Sequence, residues 1–308
     1  MERVVGVLLL AMLAGLGAAA TANGQSTARP DPRAAQPERP TVATHAFTVA
    51  PGIIEMEAGF LQLRPDSASN QFGVPVLFKI GLGSRLQLDV APGWLRNANG
   101  GDAQSGMTDL TIGVKWRLVD RAPVLGAFAF QPTVSLPTGS AEDGTGAGTT
   151  SLNLLLVSSH KIHGVSLDIN VGCTRRGGDG SAAPKTATLW SVSTGIPIAG
   201  RLGWAAEIYG YPGTSGPAAS APVVAFLTGP SFGLTDSVVI DAGIIANISG
   251  LGTAVYGLGV NAIYGGITWN MGRMWTPQAR PVKQGIAGAS GGTRTRYLRL
   301  RRPPFHPD

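Results

Sequence analysis

Apolar and polar residues alternate strictly along one stretch of the chain, Leu110–Asp120, which reads LTIGVKWRLVD. Its apolar side chains occupy every second position, and Lys115 and Arg117 lie on the opposite face. A period of two residues predicts a β-strand and not a helix. This pattern fits a soluble sandwich, in which the apolar face packs on a core, and equally a membrane barrel, in which it faces lipid.

The same alternation recurs about twelve times between residues 50 and 271, with no helical periodicity between the repeats. Clear examples are 54–60, 74–80, 86–90, 128–136, 152–156 and 165–171, and less regular ones follow at 186–196, 202–211, 222–232, 237–248 and 255–270. Strands of about ten residues can cross the apolar layer of a bilayer when they are tilted. The repeats therefore predict an all-β protein.

Short and long connections alternate between these strands. Tight turns are expected at 81–85, 120–123, 161–164, 197–201 and 233–237, and longer segments rich in Gly, Ser, Asn and Asp at 96–106, 137–150, 173–184 and 212–220. Outer-membrane barrels have short periplasmic turns and long outer loops. The sequence thus predicts a single antiparallel up-and-down transmembrane β-barrel of about 12 strands, with both chain ends in the periplasm.

The polar faces of the predicted strands carry charges of both signs. A charge facing lipid at mid-bilayer costs about 2–4 kcal/mol, so these side chains are expected to line the lumen. Mixed signs indicate salt-bridged filling or a narrow polar path; bracing of the barrel and contact with a solute both remain open for each residue. The candidates are Glu55, Glu57, Lys79, Asp89, Lys115, Arg117, Asp168, Glu207 and Asp241.

The chain ends differ from the strand region in composition. Residues 1–22 resemble a secretory signal peptide, with an apolar run from Val4 to Ala20 and small residues at a cleavage site. We expect 23–48 to be a flexible linker, 49–271 to be the outer-membrane barrel, and 272–308 to be a basic, disordered tail. Contact of that tail with an anionic envelope polymer is the alternative to simple solvation.

Composition narrows the class of protein further. Apolar residues make up 44% of the chain and charged residues only 14%, which is too apolar for disorder and too poor in charge for a typical cytosolic enzyme. The net charge of +6 comes largely from the tail, and an exported chain does not meet nucleic acid, so no nucleic-acid partner is expected. A single cysteine, Cys173, excludes an internal disulfide.

Catalytic and metal-binding motifs are not evident. No Gly-rich segment has the context of a phosphate loop, and no Cys/His set has zinc spacing, so we predict no enzyme activity, no cofactor and no metal. The pair His160 and His163 is a poor metal site at a turn. An outer-membrane lipase or deacylase using Ser158 or Ser159 with His160 is a less favoured alternative, because these residues are expected at a periplasmic turn.

Several segments resemble the repeated elements of one known family. These are APGIIEMEAGF, GVPVLFKIGLGSRLQLDVAPGWL, FQPTVSLPTGS, LTDSVVIDAGI and the strand from Gly106 to Arg117, which is followed by the LPTG element at Leu136–Gly139. Over roughly 50–270 the chain is similar to the outer-membrane transporter family named for the MetA pathway of phenol degradation. The resemblance implies an outer-membrane β-barrel that takes up small, often aromatic or hydrophobic compounds.

We therefore expect an outer-membrane barrel for passive passage or binding of small molecules. The expected partners are outer-membrane lipid, the barrel-assembly machinery and a small-molecule solute that the sequence does not name. A structural barrel with a lumen plugged by side chains is the alternative.

Overall fold

The structure, a computed structural model, describes residues 33–64, 69–99, 102–249 and 260–276. Its strands are β1 (Ile53–Leu63), β2 (Ser69–Gly83), β3 (Leu86–Ala91), β4 (Gly93–Asn99), β5 (Asp102–Met107), β6 (Leu110–Ala122), β7 (Gly126–Leu136), β8 (Ser151–Ile162), β9 (Val165–Arg176), β10 (Thr186–Ala199), β11 (Leu202–Tyr211), β12 (Val223–Gly233), β13 (Val238–Asn247) and β14 (Val260–Arg273). Within these residues no helix is long and apolar enough to span a membrane.

The strands form one antiparallel sheet that closes on itself, because β1 pairs with both β14 and β2. β3 and β4 are two halves of one barrel strand that both pair with β2, and β5 and β6 likewise follow one another along the next. Pro92, which has no N–H to donate, interrupts the first of these. The barrel therefore has 12 strands, and the predicted fold is confirmed.

Connections alternate in length as predicted, so the barrel has a turn end and a loop end. At the turn end, β8 and β9 are joined by His163 (φ 51°) and Gly164 (φ 90°), the positive pair that a two-residue hairpin needs. The predicted turn at 120–123 lies later, at 123–125, because β6 extends to Ala122. At the loop end, the loop predicted at 96–106 is wrong: β4 and β5 pair there as a hairpin, from Trp94↔Met107 to Asn99↔Asp102.

The outer surface of the barrel is apolar and the interior is polar, the reverse of a soluble protein. Trp116 is 52% exposed, whereas the neighbouring Lys115 is 0% exposed. A belt of exposed large side chains covers the strands, including Phe60, Ile112, Leu154, Leu156, Val171, Ile240, Ile244, Ile263 and Trp269. A continuous apolar surface of this kind fits lipid, and so decides between the two environments left open by the alternating strand.

The flexible linker expected over 23–48 is corrected for its described part. From residue 34 onward the chain contacts the wall of the barrel, and Ala43, Ala46 and Val49 are at most 3% exposed. Residues 36–49 are held by polar side chains of the wall, which satisfy backbone groups that a solvated linker would leave to water. The expected signal peptide and residues 277–308 of the expected tail lie outside the described residues.

Candidate functional site

The candidate site is the lumen together with the segment that fills its turn end. We call residues 36–49 the plug segment. Its backbone and side chains contact wall residues in the order in which the strands follow one another around the barrel. These contacts are Gln36 N to Glu55 on β1 (2.8 Å), Arg39 Nε to Asp241 on β13 (3.3 Å), Ala43 N to Glu207 on β11 (2.6 Å), Thr44 N to Asn170 on β9 (2.9 Å), Ala46 N to Ser159 on β8 (2.8 Å) and Val49 N to Gln87 on β3 (2.8 Å).

Two lysines bind the plug segment to the wall near β1, β2 and β6. Lys79 on β2 ion-pairs with Glu55 (2.6 Å) and Glu57 (2.5 Å) and donates to Gln36 O (2.7 Å). Lys115 on β6 ion-pairs with Glu38. A lone buried charge is costly, and these ammonium groups are stabilised only while their partners stay in place.

The centre of the plug segment closes around Lys115. Its ammonium also donates to Thr44 Oγ1 (2.7 Å) and His45 O (3.1 Å). One side chain therefore joins the beginning of the segment, at Glu38, to its middle. The plug segment thus follows the inner wall, and the salt bridge of Lys115 with Glu38 helps to join two parts of it.

Both titratable groups of the plug segment have shifted pKa values. Burial by itself would raise the pKa of Glu38, but Lys115, Lys79 and His45 together lower it well below its usual range. Burial lowers the pKa of His45 to about 4, and the positive charge of Lys115 acts in the same direction. At neutral pH the docked segment thus holds a charged Glu38 and a neutral His45.

Glycines in the wall make room for the plug segment. A Cβ at Gly59 on β1 would lie 2.6 Å from Arg39 Cζ, and one at Gly266 on β14 would lie 2.7 Å from the same atom. At the turn end, a Cβ at Gly81 would lie 2.7 Å from the carbonyl carbon of Ala50. A side chain at Gly81 would therefore collide with backbone, and one at Gly59 or Gly266 would displace the Arg39 guanidinium.

Aromatic side chains lie above the plug, on its loop-end side. Tyr209 (9% exposed), Tyr264 (5%) and Leu227 (2%) form a buried cluster on β11, β14 and β12, and Val42 of the plug segment packs against it. Tyr211 meets Tyr209 edge to face at 6.0 Å and is 42% exposed. We call Tyr209, Tyr211 and Tyr264 the tyrosine shelf; it is the apolar surface that a molecule coming from the loop end would meet before the plug.

A cavity of about 450 Å³ lies below the plug, on its turn-end side. One wall is the plug segment, including Thr41 and His45, and the other is formed by the small inward residues of β9 to β12. These include Ser166, Ser193, Gly195, Gly203, Ala205 and Ser231. The lumen is therefore filled unevenly, with ion pairs against β1, β2 and β6 and with open space against β9 to β12.

The other predicted lumen residues lie in the same region. Asp89 accepts from Gln87 Nε2 (2.7 Å) and Gln131 Nε2 (2.8 Å), and Asp168 accepts from Ser159 Oγ (2.5 Å). Asp89 is buried and Asp168 half-buried.

Arg117 lies near the turn end, apart from the central salt bridges. It donates to Ser84 O (2.5 Å), ion-pairs with Asp120 (3.0 Å), and its guanidinium lies 6.0 Å from the centre of the Phe47 ring. Arg117 thus contacts the Phe47 ring of the plug segment, and its charge is paired with that of Asp120 at the turn end.

The strand from Gly106 to Arg117 and the LPTG element at Leu136–Gly139, which carry the family resemblance, contact each other at the loop end. Asp109 Oδ1 accepts from Gly139 N (3.1 Å), and its other oxygen accepts from Ala147 N (2.8 Å). Thr138 Oγ1 accepts from Leu110 N (2.8 Å). Asp109 therefore fixes the 137–150 loop over β6, which gives the LPTG element a structural role.

Among the residues that the structure describes, no carboxylate bonds to His160 as the third member of a triad would. Ser158 Oγ lies 3.0 Å from His160 Nε2 and also donates to Leu125 O (2.8 Å). Asp168 interacts with Ser159, whose side chain points into the barrel and so lies on the face opposite Ser158. In the part of the chain that the structure describes, no group of three or more His, Cys, Asp or Glu side chains could hold a metal ion.

Sequence reasoning missed the plug segment and the wall positions that hold it, including Asn170 and Ser159. The plug segment has no periodic pattern of apolar and polar residues, because its backbone bonds to side chains of the wall and not to a neighbouring strand. One clue was present: nine charges facing a narrow lumen need partners, and Glu38 and Arg39 are charged residues of the expected linker.

The sequence from Glu38 in the plug segment to the connection after β13 matches a known family. The family described as "Putative MetA-pathway of phenol degradation" matches residues 38–254, more than half of the chain. The chain belongs to this family. No match was found among curated proteins.

Solved structures share the barrel. An outer-membrane channel from Pseudomonas putida F1 superposes with a TM-score of 0.57 at 12% identity, over 73% of this chain and 97% of that chain. The NanC porin (TM-score 0.43, 9% identity, 70% of this chain and 98% of that chain) and the CymD monoaromatic hydrocarbon channel (0.37, 7%, 72% and 87%) are more distant and carry no argument. The shared fold, the closed barrel and the apolar belt confirm the predicted bacterial outer-membrane location of this family member.

Proposed function

We propose that this family member is an outer-membrane channel for passive passage of small molecules, narrowed by its own plug segment. The observation that supports this most is the way the lumen is filled. Buried ion pairs stabilise a protein less than apolar packing of the same volume does. A lumen that served stability alone would be better filled by apolar side chains than by a polar segment with a 450 Å³ cavity beside it.

The tyrosine shelf supports small aromatic or hydrophobic compounds as the solutes. The rings of Tyr209 and Tyr211 lie edge to face, an arrangement that a further flat ring could extend. In the proposed orientation the shelf faces the outside of the cell, since outer-membrane barrels place short turns in the periplasm. Assembly by the barrel-assembly machinery remains a prediction from the fold class.

Uptake into liposomes tests this function. Purified protein is reconstituted into liposomes, and influx of a phenol and of a sugar of similar size is measured against protein-free liposomes. We expect influx of the phenol above background and a smaller effect with the sugar. Equal, background influx of both would refute passage. A folded barrel is verified in each sample by its heat-dependent mobility in electrophoresis.

A structural barrel with a plugged lumen is the second candidate. Lys79 and Lys115 favour it, because the bond of Lys79 to Gln36 O and the ion pair of Lys115 with Glu38 fix the plug segment at two points. This candidate predicts silence in planar bilayers and background influx, whereas a channel predicts discrete openings.

A further inference from the structure

The plug segment is bound more weakly on one side of the barrel than on the other. Near β1, β2 and β6 it is held by the buried ion pair of Glu38 with Lys115 and by Lys79, which is paired with Glu55 and Glu57 of the wall and donates to Gln36 O (2.7 Å). Near β9 and β11, the bonds that join residues 42–44 to the wall are made by their backbone, whereas the Thr44 side chain is bound from the other side, by Lys115 Nζ (2.7 Å). Glu207 accepts from Val42 N and Ala43 N, each at 2.6 Å, and Asn170 makes two bonds of 2.9 Å with Thr44 N and Thr44 O.

On this more weakly bound side, only residues 42–44 of the plug segment separate the space beside the tyrosine shelf from the cavity. Val42 packs against the tyrosine shelf above, and the cavity lies directly below Glu207 and Asn170, toward the turn end. The cavity wall is made of small side chains, among them Ser193, Ala205 and Ser231. A shift of residues 42–44 toward the centre would join shelf and cavity without breaking the bond of Lys79 to Gln36 O or the ion pair of Lys115 with Glu38.

We propose that solutes cross on this side only, between the plug segment and the β9–β12 wall, and that Glu207 and Asn170 hold this path closed. The inference rests on the proposed function and specifies its route and gate. We call Glu207 and Asn170 the latch residues. Glu207 contributes more than Asn170 to holding the path closed, because hydrogen bonds to a charged acceptor are stronger than neutral ones. In the open state, water molecules take the place of the Val42 and Ala43 amides as hydrogen-bond donors to Glu207. The small side chains of the cavity wall leave room for this water.

Planar-bilayer recordings of latch variants test the gate. Asn170→Ala combined with Glu207→Ala removes the four bonds that residues 42–44 make to the β9 and β11 wall, and we expect the open-to-closed ratio to rise roughly tenfold or more. Asn153→Ala, which removes a bond within the wall, from Thr174 Oγ1 on β9 to Asn153 on β8 (3.1 Å), is the matched control and should behave as the parent. An equal rise in both variants, or none in the latch variant, would overturn the gate.

Cysteine modification tests the route. In a Cys173→Ser background, Ser231→Cys places a thiol in the cavity, and Ser84→Cys places an accessible one on the ion-paired side, between β2 and β3. A bulky thiol reagent should reduce conductance through Ser231→Cys at least severalfold and leave Ser84→Cys unchanged. Block at both positions, or at neither, would contradict a one-sided route.

A variant lacking residues 33–46 distinguishes failure of the proposed gate from failure of the proposed channel function. If it conducts and the parent passes solute, but the latch variants equal the parent, the channel stands and the gate is wrong. If the parent and all variants, including this one, are silent while folded, the proposed function fails and the gate fails with it.

Discussion

Replacing Lys115 by Met should release the plug segment while leaving the barrel closed. The ammonium is fully buried and serves Glu38, Thr44 Oγ1 and His45 O at once. Removing one partner of a buried ion pair costs about 3–5 kcal/mol, since the other charge is left unpaired. The backbone of β6 keeps its pairing with β3 and β7, so this cost falls on docking of the segment.

Hydrogen exchange followed by mass spectrometry measures that loss. The amides of Ala43, Thr44 and Ala46 each donate to a wall side chain and should be protected in the parent. At about 1.4 kcal/mol per factor of ten, Lys115→Met should lower their protection by roughly two to three orders of magnitude. Glu38→Gln added to Lys115→Met should recover part of it, because the lone carboxylate is gone.

The exposed Lys161, near the turn end of β8, provides the matched control for removal of a lysine charge. Lys161→Met should leave protection of the plug amides unchanged. If Lys115→Met also leaves it unchanged, the salt bridge to Glu38 does not hold the segment. Loss of protection throughout β6 and β7 would instead show that Lys115 supports the barrel itself.

Three further predictions concern the wall glycines, pH and orientation. Gly266→Ala should displace Arg39 and increase proteolysis of the plug segment, whereas Gly73→Ala, whose Cβ would have no contact closer than 3.7 Å, should not; equal cleavage would refute the close approach. Since the pKa of His45 falls from 6.5 to about 4 on docking, docking should be fully stable above pH 6.5 and weaken as the pH falls toward 4. A spin label at Phe47 should gain mobility over that range, and His45→Gln should abolish the change; a label whose mobility does not depend on pH would refute it. With Cys173→Ser, a cysteine at Gly144 should react with an impermeant reagent on intact cells and one at Gly83 should not, and the reverse would invert the barrel.

The barrel was predictable because its signals are local. Alternation in 110–118 sets both the strand and its two faces, and the cost of a charge in lipid assigns Lys115 to the interior. Turn residues such as His163 and Gly164 mark the hairpins in the same way. Where local composition misled, at 96–106, polar and Gly-rich residues pair as a hairpin because the strands extend beyond the apolar belt.

The plug segment was not predictable because its contacts are distant in sequence. Arg39 lies 202 positions from its partner Asp241, and Ala43 lies 164 positions from Glu207. Its backbone bonds go to single side chains on different strands, so no period appears. The wall charges were identified correctly as polar positions, but their partners depend on a path through the barrel that only the closed fold defines.

A disulfide between the plug segment and the wall tests most directly whether that segment lies inside the barrel. Ala46 N is 2.8 Å from Ser159 Oγ, so cysteines at these two positions, in a Cys173→Ser background, should be close enough to join. We predict that the pair oxidises in outer membranes of intact cells, as detected by peptide mapping, and that Ala46→Cys with Ser231→Cys does not. Absence of the first cross-link in a folded barrel, or equal cross-linking of both pairs, would contradict a plug segment docked in the lumen.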